Sequence, residues 1–374
     1  MSEPIRVAMI MGKMVGGGVE AVVMNYYRHI DKDLFQFDFI IDNDSSTVPE
    51  MEINTLGGRI YRVAPYQKIV EYRKDLKKIF KQVKYEIVHS HINSLSVIPL
   101  QVAKQCDVPI RIAHNHSTAA PGEYKKNLVK RVLKMFSTKF ATNFMAPSRY
   151  AGEWLFGKKI ADNELYILKN AIELDKFLFD ESIRKEVRES LSINDNEFVI
   201  GNIGRFVWQK NQDFVLDIFQ EYKKKNENSK LILVGSGPNE ENLIHKIKDY
   251  NLTDSVLVLG NRSDVSDIYQ ALDFFVFPSR YEGLGIVAIE AQTNGLHVIG
   301  SDRIPDDVKI TSLYSTLSLD VPYSYWVREI ENTQQERNNK ILEIRKAGYD
   351  IKIESVKLVD YYNQLLGKNQ RIRN

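Results

Sequence analysis

Two glutamates eight positions apart, Glu282 and Glu290, lie in Tyr281-Glu282-Gly283-Leu284-Gly285-Ile286-Val287-Ala288-Ile289-Glu290-Ala291. The segment follows an apolar, strand-like run, Phe274-Phe275-Val276-Phe277-Pro278-Ser279. Gly283 and Gly285 therefore open a helix whose first backbone N–H groups can receive a phosphate. Glu290 falls inside that helix among apolar neighbours, where an ionised carboxylate needs donors; ribose hydroxyls are natural ones. Glu282, on the loop, faces whatever is attached beyond the phosphates. Upstream, Asn202-Ile203-Gly204-Arg205-Phe206-Val207-Trp208-Gln209-Lys210-Asn211 carries Arg205 and Lys210 in the loop that leaves another strand. A guanidinium and an ammonium there suit a diphosphate, the first by bidentate contact and the second as a point charge.

The first half carries two further signals. Gly16-Gly17-Gly18-Val19-Glu20 joins a strand to a helix, letting backbone approach a ligand closely where a helix N-terminus favours an anion. It is not a clean G-x-G-x-x-G, and no acidic residue closes a dinucleotide fingerprint, which argues against a dehydrogenase. Four of the seven histidines form H-x-H pairs, His89/His91 and His114/His116, at expected strand ends. Residues i and i+2 of a strand share a face, so each pair could offer two ligands to a metal, contact a substrate, or serve as satisfied core polar groups.

The elements that position these residues alternate. Strands are expected at 5–11, 35–42, 59–63, 86–90, 110–113, 143–146 and 165–168, with helical patterns at 20–29, 67–83, 96–105 and 124–139 between them. The second half repeats the scheme, with strands at 198–204, 230–235, 255–260, 274–278 and 297–300 and helices at 212–225, 240–250, 265–271 and 285–294. Such alternation implies βαβ units, two doubly wound parallel sheets and ligands near strand C-termini. The polar stretch 170–196 reads as the interdomain connection, and the tail offers helices at 334–347 and 353–366.

With 374 residues, two domains are expected. A 43% hydrophobic and 27% charged composition with 20 Gly and 11 Pro excludes collagen, long disorder and disulfide miniproteins. No run approaches 18 uncharged apolar residues, and the start lacks a signal-peptide core. The single Cys106, read as a buried core thiol, fits a reducing cytosol. The net charge of +2 is unevenly spread: residues 1–168 hold 24 Lys+Arg against 17 Asp+Glu, and the remainder holds 27 against 32. The segment 125–139 carries Lys125, Lys126, Lys130, Arg131, Lys134 and Lys139 with no acid, beside an apolar face of Leu128, Val129, Val132, Leu133 and Phe136. That pattern suits an anionic lipid surface or an ordinary domain helix. Nucleic acid is disfavoured, because no aromatic stacking platform accompanies the basic run.

The order and spacing of these pieces resemble the retaining GT-B glycosyltransferases, in particular family 4 (glycosyl transferases group 1). Beside the E-x7-E segment Glu282 to Glu290, the resemblance takes in Leu168-Lys169-Asn170-Ala171-Ile172-Glu173, Leu233-Val234-Gly235-Ser236-Gly237-Pro238 and Leu259-Gly260-Asn261-Arg262. A strand ending like Arg111-Ile112-Ala113-His114-Asn115-His116 also occurs in bacterial capsule and exopolysaccharide transferases. The resemblance implies a GT-B fold of two Rossmann-like parallel-sheet domains facing a central cleft. Residues 1–168 would bind the acceptor, residues 169–350 a UDP-linked nucleotide-sugar donor, and 351–374 would form a helix crossing back to the first domain. It further implies that Glu290 holds the ribose, Arg205 and Lys210 the diphosphate, and Gly260, Asn261 and Arg262 the base edge. Glu282 would lie against the sugar, with Gly283, Leu284, Gly285 and Ile286 at the helix start and Gly17 and Gly18 closing on the phosphates. His114 or His116 would stand at the reaction centre.

No cofactor or metal is implied. Asp42-Asn43-Asp44 resembles the D-x-D metal site of the other glycosyltransferase fold but reads as a polar turn, as does Asp31-Lys32-Asp33. The implied activity is transfer to a lipid-linked saccharide at the cytoplasmic membrane face, with partner proteins of a polysaccharide pathway. A nucleotide-sugar epimerase on the same scaffold and a non-catalytic partner subunit are the alternatives, separable by donor turnover with and without acceptor.

Overall fold

β-Branched and aromatic runs form strands wherever both sides of a sheet can be covered. The computed structural model, which describes residues 3–116, 133–333 and 336–373, contains two all-parallel sheets. The first comprises β1 (Ile5–Gly12), β2 (Phe35–Asp42), β3 (Arg59–Val63), β4 (Ile87–Ser90), β5 (Ile110–His114), β6 (Asn143–Ala146) and β7 (Leu165–Ile167), in the order β3-β2-β1-β4-β5-β6-β7. The second comprises β8 (Phe198–Ile203), β9 (Ser229–Val234), β10 (Val256–Val258), β11 (Phe274–Phe277), β12 (His297–Ser301) and β13 (Tyr314–Leu317), in the order β10-β9-β8-β11-β12-β13. Two units result: Met1–Ile172 with Asp350–Asn374, and Glu173–Tyr349.

In the first unit alternate residues of β1 serve opposite faces, as the two-residue side-chain period requires. Val7, Met9 and Met11 join a core with the helices Gly18–His29 and Ile351–Arg373, while Ala8 and Ile10 join one with the helices Ile69–Val83 and Val97–Gln105. The terminal helix thus belongs to the first unit, contributing Ile351, Leu358, Tyr362, Leu365 and Leu366 to its core.

Several expectations are corrected. Residues 170–196 hold two helices, Leu174–Phe177 and Glu181–Ser190. The second was hidden because its one fully buried residue is a charged one, Arg188, while Asp180 caps it by accepting from the Ser182 and Ile183 amides. β13 was missed because Tyr-Ser-Thr-Leu is only partly buried and lacks an apolar run. The strand expected at 255–260 shortens to β10, as Gly260 turns to φ +63°. Cys106 is only partly buried, at the end of helix Val97–Gln105. Residues 117–132 and 334–335 lie outside the described residues. So do Lys125, Lys126, Lys130 and Arg131 of the basic segment, and the start of the helix expected at 334–347, of which Ile341–Lys346 is helical. Among the described residues no helix is long and apolar enough to cross a membrane.

A buried ion cluster fixes the start of β11 beside β8. Asp273 accepts from the Val199 amide at 2.7 Å, from Arg184 at 2.6 Å and from Arg188, itself 2% exposed, at 2.6 Å. Asp273→Ala would leave two guanidiniums uncompensated, and breaking such a buried cluster costs about 3–5 kcal/mol. Urea denaturation followed by circular dichroism is expected to show a loss of that order.

Candidate active site

Both sheets change direction beside their first strand. In the second unit the chain runs β8, β9, β10 outward, then returns to place β11 on the other flank of β8. At such a switch point the loops leaving two adjacent strands diverge and open a crevice beyond their C-termini. Residues 204–211 leave β8 and residues 278–285 leave β11, so side chains 72 positions apart meet: the Lys210 ammonium lies 2.7 Å from Glu282 Oε1. The two loops are held together. The Arg280 amide donates to Gln209 O at 2.8 Å, Gln209 Nε2 to Tyr281 O at 2.9 Å and Asn211 Nδ2 to Pro278 O at 3.1 Å. Arg280 also lies over the Trp208 ring.

Gly285 begins the helix Ile286–Thr293 at φ +92°, where a Cβ would sit 2.8 Å from the Phe277 ring. Only glycine fits that conformation in that space. Glu290 projects from this helix and accepts the Tyr269 hydroxyl at 3.0 Å. Burial raises its carboxyl to about 7, against the opposing hydrogen bond from Tyr269. Arg205 is exposed on the β8 loop. Gly260 and Asn261 follow β10, beside Arg262, which is paired with Asp264. Lys210, Glu282, Gly283, Leu284, Gly285, Ile286 and Glu290 therefore share the loops and helix at the β8/β11 edge. Tyr269 carries no sequence signal; it is found only because its helix, Val265–Ala271, lies against the residues around Glu290.

In the first unit the switch point lies between β1 and β4, and a cavity of about 450 Å³ opens there, lined among others by Gly17, Gly18, Asp42, Asp44, His91 and Asn93. Glu20 draws the glycine loop onto itself: its carboxylate accepts the Val15 amide at 2.8 Å and the Gly17 amide, so Gly17 N–H is already engaged. Asp42, expected in a turn, ends β2, and burial followed by the neighbouring Asp44 pushes its carboxyl up to about 6 despite Lys13. Asp44 instead pairs with Lys13 at 2.7 Å.

Pairing of β4 with β5 stacks all four histidines on one sheet face. His89 Nε2 lies 3.1 Å from His114 Nδ1, and His91 Nδ1 lies 2.9 Å from His116 Nε2. His89 Nδ1 lies 2.7 Å from the Tyr362 hydroxyl. Burial lowers all four, His89 and His116 to about 3. They are neutral at physiological pH. One nitrogen each of His89, His91 and His114 falls within 4.8 Å of the others, so this group could hold a metal ion. Both nitrogens of His89 are already hydrogen-bonded, however, and a metal would need a lone pair from one of them.

The raised Glu290 carboxyl has a consequence for pH. Its folded value stands above the usual carboxylate range, so the folded chain holds this proton more tightly and stability falls as pH rises from about 4.5 through about 7. Glu290→Gln, which keeps the shape without the charge, is expected to abolish that decline and to gain up to about 3 kcal/mol at pH 8. Urea midpoints measured across this pH range check it.

Comparison with known proteins places this geometry. A family model described as glycosyltransferase family 4 matches residues 16–176, and one described as glycosyl transferases group 1 matches residues 183–309. The chain is 30% identical over 369 residues to the Bacillus subtilis protein named "Putative glycosyltransferase EpsF", covering 96% of each chain. It is 26% identical to the Escherichia coli UDP-Gal:alpha-D-GlcNAc-diphosphoundecaprenol alpha-1,3-galactosyltransferase, over 80% of this chain and 79% of that one. To the capsular polysaccharide biosynthesis glycosyltransferase CapH of Staphylococcus aureus it is 24% identical, over 87% and 90%. In fold it is similar to Anabaena HepE, solved in complex with UDP-glucose, with a TM-score of 0.79 at 16% identity over 96% of this chain and 100% of that one. Two parallel sheets with switch-point loops and an E-x7-E helix thus mark a GT-B enzyme, and the chain belongs to the family 4, group 1 glycosyltransferases.

Proposed function

We propose that this glycosyltransferase moves a sugar, with retention of configuration and without a metal, from a UDP-linked donor to a lipid-linked saccharide. The observation that carries the reading is the β8/β11 edge, where Lys210 meets Glu282 on the loop that leads into the helix carrying Glu290. Glu290, costly to ionise as it stands, gains donors when ribose hydroxyls meet it. Lys210 exchanges its contact with Glu282 for the diphosphate, and Arg205 adds a second cation. As the glycosidic bond breaks, negative charge grows on the departing diphosphate, where these groups stabilise it. Glu282, freed from Lys210, orients the sugar, and His114 takes the reaction-centre role.

No carboxylate is needed as nucleophile if the acceptor hydroxyl attacks from the face the diphosphate leaves, a phosphate oxygen taking its proton. The acceptor saccharide occupies the cavity of the first unit, whose polar lining of Lys13, Asp42, Asp44 and Asn93 suits hydroxyls. The name of the Escherichia coli relative, a transferase acting on a diphosphoundecaprenol-linked sugar, supports a lipid-linked acceptor. The basic segment that includes Lys134 and Lys139 supports an anionic membrane surface, with Met135 78% exposed beside them.

A thermal-shift screen of nucleotide sugars tests the donor, since a ligand that binds only the folded chain raises Tm by mass action. UDP-sugars are expected to stabilise the wild type and to leave Glu290→Ala unmoved; stabilisation by none of them sinks the reading. Lys210→Ala is expected to lower turnover about 10²–10³-fold, the usual cost of removing one such stabilising group. Adding Glu282→Gln should relieve the stability cost of the unpaired carboxylate without restoring turnover. EDTA is expected to leave transfer unchanged, and a strict need for Mg²⁺ or Mn²⁺ would overturn metal independence.

A further inference from the structure

The terminal helix reaches into the histidine cluster through one atom. Among the described residues, the buried Tyr362 hydroxyl has a single hydrogen-bond partner, His89 Nδ1 at 2.7 Å, and His89 passes the contact on through Nε2 to His114 Nδ1 at 3.1 Å. Each neutral imidazole has one N–H and one lone pair, so the direction of the first bond dictates the second. A phenol is a better donor than a neutral imidazole N–H, and an imidazole nitrogen is a better acceptor than a phenol oxygen. The reverse direction would also strand the Tyr362 O–H proton in the core with no acceptor, at the full cost of a buried unmet donor.

We infer that Tyr362 donates to His89 Nδ1, that His89 Nε2–H donates to His114 Nδ1, and that His114 is thereby held as the neutral Nε2–H tautomer, a hydrogen-bond donor and not a base. Successive bonds of one sense polarise one another, which strengthens the lock. The unmet donor then sits on His114 Nε2, a buried nitrogen without a partner among the described residues, on the last residue of β5, at the C-terminal sheet edge where ligands bind in doubly wound folds. The companion pair has no such anchor. His91 and His116 meet each other through one nitrogen each, and among the described residues their outer nitrogens have no partner and nothing sets their direction. Tyr362 is therefore a positioning residue, 248 positions along the chain from the histidine it orients. The use of that N–H toward a sugar oxygen rests on the proposed role of His114 in transfer.

Nitrogen-15 NMR of the histidine-labelled full chain reads the tautomer directly, with His114→Gln assigning the signal. The expected spectrum has a protonated, pyrrole-type Nε2 and a bare, pyridine-type Nδ1 at both His89 and His114. Tyr362→Phe is expected to move both rings toward tautomer averaging, while reducing kcat about five-fold, the usual cost of one neutral hydrogen bond, with donor KM unchanged. A pyrrole-type Nδ1 at His114 in the wild type, or an unaltered pattern in Tyr362→Phe, overturns the inference. Equimolar Zn²⁺ binding at His114 Nε2 overturns it too, because a metal takes a lone pair and not an N–H. If the tautomer pattern is as expected but His114→Gln transfers sugar at the wild-type rate, the lock stands and the catalytic role assigned to His114 falls.

Discussion

The parallel pairing of β8 with β11 is the contact on which the candidate active site depends. Without it, the Arg205–Lys210 loop and the Glu282–Glu290 segment are two unrelated polar stretches. The pairing is enforced from below by Asp273, which binds the backbone of β8 and two arginines from the preceding helix. It is enforced from above by backbone and amide bonds between the two loops. The chemistry thus sits between two sets of polar contacts that leave little freedom to the backbone carrying it.

The buried ionisable groups divide by how completely they are satisfied. Asp38, fully buried on β2, is met by Arg6 and by the Tyr85 hydroxyl, and Asp273 has three donors. These groups pin strands, and their charge is already compensated by arginine. Among the described residues, Glu290 has one side-chain donor and a raised carboxyl, and three histidine nitrogens of the β4/β5 edge have no partner. Unmet polar atoms at the C-terminal edges of parallel sheets are where a substrate repays the cost of burial.

The legible part of this site was local. Glycines opening a helix, a carboxylate inside an apolar helix and cations after a strand can each be read from neighbours a few residues away. Tyr269 and Tyr362 could not be read in this way. Each is one aromatic residue on an amphipathic helix, indistinguishable from core, and its hydroxyl matters only because packing aims it at Glu290 or His89. The polar helix Glu181–Ser190 was hidden for the opposite reason: its one fully buried residue is Arg188, and a hydrophobic pattern does not register a buried arginine whose carboxylate partner lies 85 residues away.

The sequence by itself determined the alternation of strands and helices, the two parallel sheets and the E-x7-E segment, because apolar periodicity and glycine geometry act over a few residues. Tertiary structure alone decided that the four histidines stack into two hydrogen-bonded pairs, and that Lys210 meets Glu282 before any ligand does. These outcomes depend on which strands become neighbours. Strand order is set by the burial of whole helices and sheet faces, a sum over the fold that no short stretch of sequence contains.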